Sequence, residues 1–163
     1  MCFGSLCRLG GDGLKAITIH QPWATLIALE QKKFETRSWK IAYRGELAIH
    51  AGKKIDKKVC RLEPFRSVLA KHGYNEDNLP TGAIVAVCRL EECWSVSRSS
   101  ETEILLSYDR PDISKETSIG KQEEIFGDYS DGRFAWEISH VQRLPEPVPA
   151  TGRQGLWTWE ALI

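Results

Sequence analysis

The stretch Glu30-Gln31-Lys32-Lys33-Phe34-Glu35-Thr36-Arg37-Ser38-Trp39 decides how this chain is read. An apolar, helix-like segment leads into it, and its second half alternates as a strand does. A strand repeats every two residues, so Phe34, Thr36 and Ser38 fall on one face and Glu35, Arg37 and Trp39 on the other. Lys32 stands just before the strand, close enough to project over the second face. An acid, two cations and a flat aromatic then share one surface, and function is expected there.

Upstream, Lys15 to His20 is β-rich and reads as a first strand. Pro22 follows, a residue suited to the first turn of a helix because its missing N–H is not needed there. From Trp23 to about Gln31, Trp23, Leu26, Ile27 and Glu30 recur at helical spacing, and Leu29 widens the apolar face. Residues 1–14 are expected to form a flexible lead, and 15–163 a single domain, since 163 residues suffice for one core but not comfortably for two.

Downstream, Tyr43-Arg44-Gly45 is a turn, and Glu46 to Ala51 reads as a half-buried strand that Gly52-Lys53-Lys54 ends. Residues 55–72 read as helical, with Pro64 expected to kink the span or divide it into two shorter helices. Ala83 to Leu90 (AIVAVCRL) is nearly continuous apolar sequence, as expected of a central strand covered on both sides, and Glu91 to Val96 extends it. Residues 97–120, rich in Ser, Thr and charge, read as a long loop with one helical turn. Gly127 to Gly132 is turn-rich and opens a strand from Arg133 to about Leu144. Pro145, Pro147 and Pro149 read as an extended linker, and Gly155 to Trp159 as a last short strand. Strands separated by one or two helices, without βαβ rhythm, point to an α+β fold around a small barrel.

Lys plus Arg and Asp plus Glu are both 22, so no global basic field draws the chain to nucleic acid, and any such binding rests on a local patch. The five cysteines, Cys2, Cys7, Cys60, Cys88 and Cys93, are scattered without a CxxC pair, and neither metal nor cofactor is expected. No apolar run reads as a signal peptide or approaches a membrane span, and a reduced, cytoplasmic protein is the expectation.

IHQPWATLI, a K-x-x-E-x-R run, YRGELAIHAGKK, LPTGAIVAV, FGDYSDGRFAW and GRQGLW together resemble the ASCH domain (the activating-signal-cointegrator homology domain), a family of the PUA-like superfamily of small β-barrels. The resemblance runs from residue 15 to 159. Lys32, Glu35 and Arg37 match the hallmark G-x-K-x-x-E-x-R, whose leading glycine is here Glu30. A glycine there would suit a helix C-terminus with positive φ; glutamate implies a different helix exit or an extra charge at the cleft. The resemblance implies a PUA-like β-barrel with flanking helices, and a cleft between barrel and first helix lined by the matched residues. It also implies RNA as the partner, since relatives are proposed to bind it. One bacterial branch hydrolyses the acetyl group of N4-acetylcytidine with a Lys and a Thr of this motif and a distant Glu. Lys32 matches that Lys, but Glu35 stands at the Thr position, so that nucleophile is absent.

The leading expectation is an RNA- or nucleotide-binding module. Lys32 and Arg37 would meet phosphate or base, with Glu35 beside them and Trp39 and Trp23 offering flat faces for stacking. Against this, Glu35 and Arg37 would form a structural ion pair and Trp23 would belong to the core. Arg44, Tyr129 and Arg133 complete the candidate set, with the Lys53-Lys54 and Lys57-Lys58 pairs as further phosphate contacts. His20 and His50 each end a strand and could pair with Glu35 as acid and base. The alternative is a small hydrolase acting on a modified nucleoside or on RNA, with Lys32 and Glu35 catalytic. A protein–protein adaptor with no identified partner is the third reading.

Overall fold

In the computed structural model, residues 13–110 and 113–160 are described, and Cys2 and Cys7 with most of the expected lead lie outside them. The elements in chain order are β1 (Leu14–Gln21), α1 (Trp23–Ala28), β2 (Phe34–Arg37), β3 (Gly45–Ile55), α2 (Lys57–Cys60) and α3 (Phe65–Lys71). They continue with β4 (Ala83–Arg98), β5 (Ile104–Arg110), β6 (Ile113–Thr117), α4 (Lys121–Phe126), β7 (Phe134–Pro149) and β8 (Leu156–Trp159).

One mixed sheet carries all these strands in the order β2-β7-β4-β3-β1-β8, with β5 joined to β4 and β6 to β5. The β1–β3 pair is parallel and the other pairs are antiparallel. Strands β2 and β8 end the path and do not pair with each other. The architecture is α+β on a mixed sheet, as expected, but the sheet is not closed, so the expected small barrel is not completed by strand pairing.

The apolar run of β4 is central, as its sequence required. Its first half lies between β3 and β7, and its second half carries β5 on the side that β3 has left. Pro64 divides α2 from α3. Helix α1 has Ala24 to Ala28 all buried, because it is covered twice. Ile27 packs on the sheet with Ile17, Leu47, Ile49 and Trp136, while Leu26 packs with Phe65, Leu69 and Phe126 on the other side.

Three expectations are corrected here. Gly52-Lys53-Lys54 does not end β3, which continues past a bulge to pair Ile55 with Gln21. The loop expected over residues 97–120 is the β5–β6 hairpin followed by α4. Its Ile104 and Leu106 bury against Trp94 and Val96, so alternation was present among the polar residues. Pro145 to Pro149 is the end of β7, paired with β4 through Pro149 and Val148, and not a linker.

Candidate functional site

The site begins with how α1 is fastened. Pro22 has no side chain to cap the helix, and the Thr25 N–H would be one of its orphan donors. Buried Gln21 serves instead: its Oε1 accepts from Thr25 N at 3.0 Å, and its Nε2 donates to Thr25 Oγ1 at 2.8 Å and to Pro80 O at 2.7 Å. At the other end the chain leaves through Glu30 at φ +59°. Glutamate therefore takes the left-handed turn that suits glycine, at a cost of about 1 kcal/mol. Glu30 is exposed and does not line the cleft, so the different exit and the added cleft charge expected of it do not occur.

That turn delivers Lys32 inward. Lys32 is 2% exposed, and its ammonium bonds the carbonyl of Phe34 and lies 3.9 Å from Glu35 Oε2. Burial holds its pKa below the ordinary lysine value, against the opposing pull of Glu35 and Glu123. Glu35, 8% exposed, accepts from Arg37 Nε at 2.9 Å, and Arg37 Nη2 donates to Thr18 O at 2.8 Å. Arg37 Nη1 donates to no group among the described residues and remains available at the cleft.

Strand β2 pairs only with β7, and its open edge is closed by α4 and the turn after it. The Glu123 carboxylate accepts from Lys33 N and Phe34 N, each at 3.0 Å. Thr36 Oγ1 accepts from Asp128 N at 3.0 Å, and Thr36 O from Arg133 Nη2 at 3.2 Å. Arg133 also bonds Asp128 O at 3.1 Å and sits 3.4 Å from the Asp128 carboxylate. Hydrogen bonds from Ser130, then Arg133, hold the Asp128 pKa down.

These groups open onto a cleft of about 1480 Å³. Lys32, Glu35, Arg37, Trp39, Trp23 and Arg133 all line it, so six of the eight expected residues meet at one place. Trp39 stands edge-on to Trp136 with ring centroids 4.7 Å apart, and Trp23 is edge-on to Phe65 at 6.3 Å. Both indoles are half-buried, with one side in the core and one at the cleft.

The other two candidates do not reach it. Arg44 bonds Ile41 O and Tyr43 O, both at 2.9 Å, and pairs with Glu92 away from the cleft. Tyr129 is 2% exposed and packs with Trp94, Leu106 and Ala135 beneath the hairpin, where burial raises its pKa. Neither histidine bonds Glu35. His20 is exposed at the cleft, whereas His50 is buried, its Nε2 2.8 Å from Ala150 O and its Nδ1 3.2 Å from Thr18 Oγ1. Cys60, Cys88 and Cys93 are free and buried, and burial pushes the Cys88 thiol up to about 12. No group of three His, Cys, Asp or Glu among the described residues is placed to hold a metal. No helix among the described residues is long and apolar enough to cross a membrane.

Sequence reading missed Thr18, Gln21, Glu123 and Arg153. The last lies in GRQGLW, a stretch that carries the family resemblance and from which only a short strand at Gly155 to Trp159 is expected. Glu123 gave no signal, because nothing in KQEEIF points 90 residues back to Lys33.

The family model described as the ASCH domain matches residues 17–147. Activating signal cointegrator 1 of Homo sapiens is 27% identical over 157 residues, and that of Mus musculus 28% over 157. Each alignment covers 94% of this chain but only 24% of the relative, so the chain spans about a quarter of their length.

Proposed function

The chain belongs to the ASCH domain family, which is associated with RNA binding, and from that premise we propose that its cleft binds single-stranded RNA. The observation that carries the proposal is the meeting of Lys32, Glu35 and Arg37 on one cleft wall with the two half-buried indoles. Arg37 is held rigid by two bonds and keeps Nη1 for a phosphate oxygen or a base edge. Trp39 and Trp23 supply apolar surface for unstacked bases, which single strands offer and duplexes do not.

Size and charge agree with this reading. A small-molecule pocket holds roughly 300–1,000 Å³, and a cleft of about 1480 Å³ takes more than one nucleoside. Five basic side chains, Lys32, Arg37, Lys53, Arg133 and Arg153, line it against two carboxylates, Glu35 and Asp128. The chain as a whole is neutral, so this is the local patch that nucleic-acid binding requires. Free Cys60, Cys88 and Cys93 fit a reducing, cytoplasmic setting.

Fluorescence anisotropy with a labelled eight-nucleotide RNA tests the proposal. Arg37→Ala should weaken binding about tenfold, the loss of roughly one charge-assisted hydrogen bond; affinity equal to the parent's would sink it. A second reading rests on the burial of Lys32, which lowers its pKa beside Glu35 and so eases access to the nucleophilic amine. It makes the cleft a hydrolase for an acylated nucleoside. That reading requires turnover above a Lys32→Ala control.

A further inference from the structure

The charges of the cleft are divided unevenly along it. At the β2 end Lys32, Arg37 and Arg133 are each paired, with Glu35 or Asp128, the two carboxylates that line the cleft. Where β3 meets the segment from Ala150 to Gly155, the same cleft is lined by Lys53 and Arg153. Both are exposed, and neither has an ion-pair or hydrogen-bond partner among the described residues. Arg153 also borders a shallow groove that holds Glu160, without pairing to it.

The segment that carries Arg153 is pressed onto the sheet. A Cβ at Gly152 would stand 2.5 Å from His50 Cε1 and 2.7 Å from Thr18 Oγ1, closer than real Cβ atoms come. Only glycine lets the backbone lie that low. Ala150 is tied at both polar groups, its N donating to Gly82 O at 3.0 Å and its O accepting from His50 Nε2. The base of Arg153 is therefore fixed by packing, while its guanidinium stays in water. Two exposed cations without a carboxylate partner on the lining of a cleft, one of them on a fixed base, are suited to anionic groups.

Resting on the RNA reading of the same cleft, we propose that Lys53 and Arg153 form a backbone subsite for single-stranded RNA. The β2 end takes a nucleotide against Arg37 and the indoles, and Lys53 and Arg153 take phosphodiester groups of neighbouring nucleotides. The preferred ligand is then an oligonucleotide rather than a free nucleoside or mononucleotide.

Salt dependence reads this directly, because each phosphate contact on a single strand contributes roughly 0.7 to the slope of log affinity against log salt. The double variant Lys53→Gln/Arg153→Gln changes two exposed side chains, and an unchanged melting temperature verifies its fold. With a labelled eight-nucleotide RNA of randomised sequence, its slope should be shallower than the parent's by about 1.4. Between 50 and 200 mM salt the parent should accordingly lose about sevenfold more affinity than the variant. Uridine monophosphate should displace the RNA with the same inhibition constant on both proteins, and a constant weakened in the variant as much as the RNA affinity would overturn the division between nucleotide and backbone contacts. An unchanged slope, with the parent still binding RNA, overturns the subsite and leaves the RNA reading standing. Failure of the parent to bind RNA overturns both. Displacement of the RNA by polyglutamate at equal charge concentration would assign the rim to acidic protein and overturn the proposal.

Discussion

Strands β3 and β2 are both withdrawn from water, by opposite chemistry. In β3, Leu47 and Ile49 pack with α1, β1 and β4 on one face and Ala48 packs with β1, β4 and β8 on the other, and each large apolar side chain contributes about 1.5–3 kcal/mol by burial. At β2 the buried groups are Lys32, Glu35 and Thr36. Removing a charge from water costs several kcal/mol, which pairing roughly offsets. The first strand holds the fold together. The second is tolerated by it, because Glu123, Asp128 and Arg133 satisfy the strand edge that no further strand covers. A buried polar cluster that adds little stability and opens on a cleft is what a binding site looks like.

The sharpest test of this contrast is Leu47→Ala. Chemical denaturation should show a loss of about 3 kcal/mol, and the melting temperature should fall by roughly 10 °C. RNA affinity below the transition should be unchanged. A large loss of affinity at full folding would mean that the two regions are not separable.

Lys32→Met comes next. It keeps the length of the side chain and removes the buried ammonium, while Glu35 retains Arg37. Stability should change by less than about 1 kcal/mol, whereas RNA affinity should fall about tenfold. A destabilisation as large as that of Leu47→Ala would make the network a structural device and dissolve the contrast. The pH dependence has a definite sign. The folded-state pKa of Lys32 lies below its unfolded value of 10.5, so the unfolded chain binds more protons between the two. The cost of burying the charged lysine is full below the folded value, shrinks as pH rises from there, and is gone above 10.5. The parent should therefore gain on Lys32→Met across that window.

Glu123→Gln should have the smallest effect on affinity. The amide keeps one acceptor for Lys33 N and Phe34 N but loses the charge, for about 1 kcal/mol of stability. RNA affinity should drop a few-fold, since β2 then loses part of what aims its side chains. An affinity unchanged to within twofold would show that β7 alone positions the motif.

Periodicity and composition made much of the fold legible. The AIVAVCRL run could only be a covered strand, and Pro64 could only interrupt a helix, because both follow from local sterics and hydrogen bonding. The alternation from Phe34 to Arg37 put Glu35 and Arg37 together before any tertiary contact was known. The hairpin β5–β6 was hidden because its inward residues, Ile104 and Leu106, are few and flanked by Ser, Thr and charge. Their strand state comes from Trp94 and Val96, far away in sequence. Arg44 and Tyr129 looked like site residues by type, yet Glu92 and the hairpin core claim them.

What the sequence determined by itself was therefore the central strands and the shared face of Glu35 and Arg37, which depend on short-range periodicity, together with the motif that carries the family resemblance. Tertiary structure alone decided that the sheet stays open and that Lys32 is buried rather than exposed. It alone brought Glu123 to the β2 edge and Arg153 to the lining of the cleft. Those outcomes depend on which distant backbone groups and carboxylates meet once the chain has closed on itself, and no local pattern encodes that meeting.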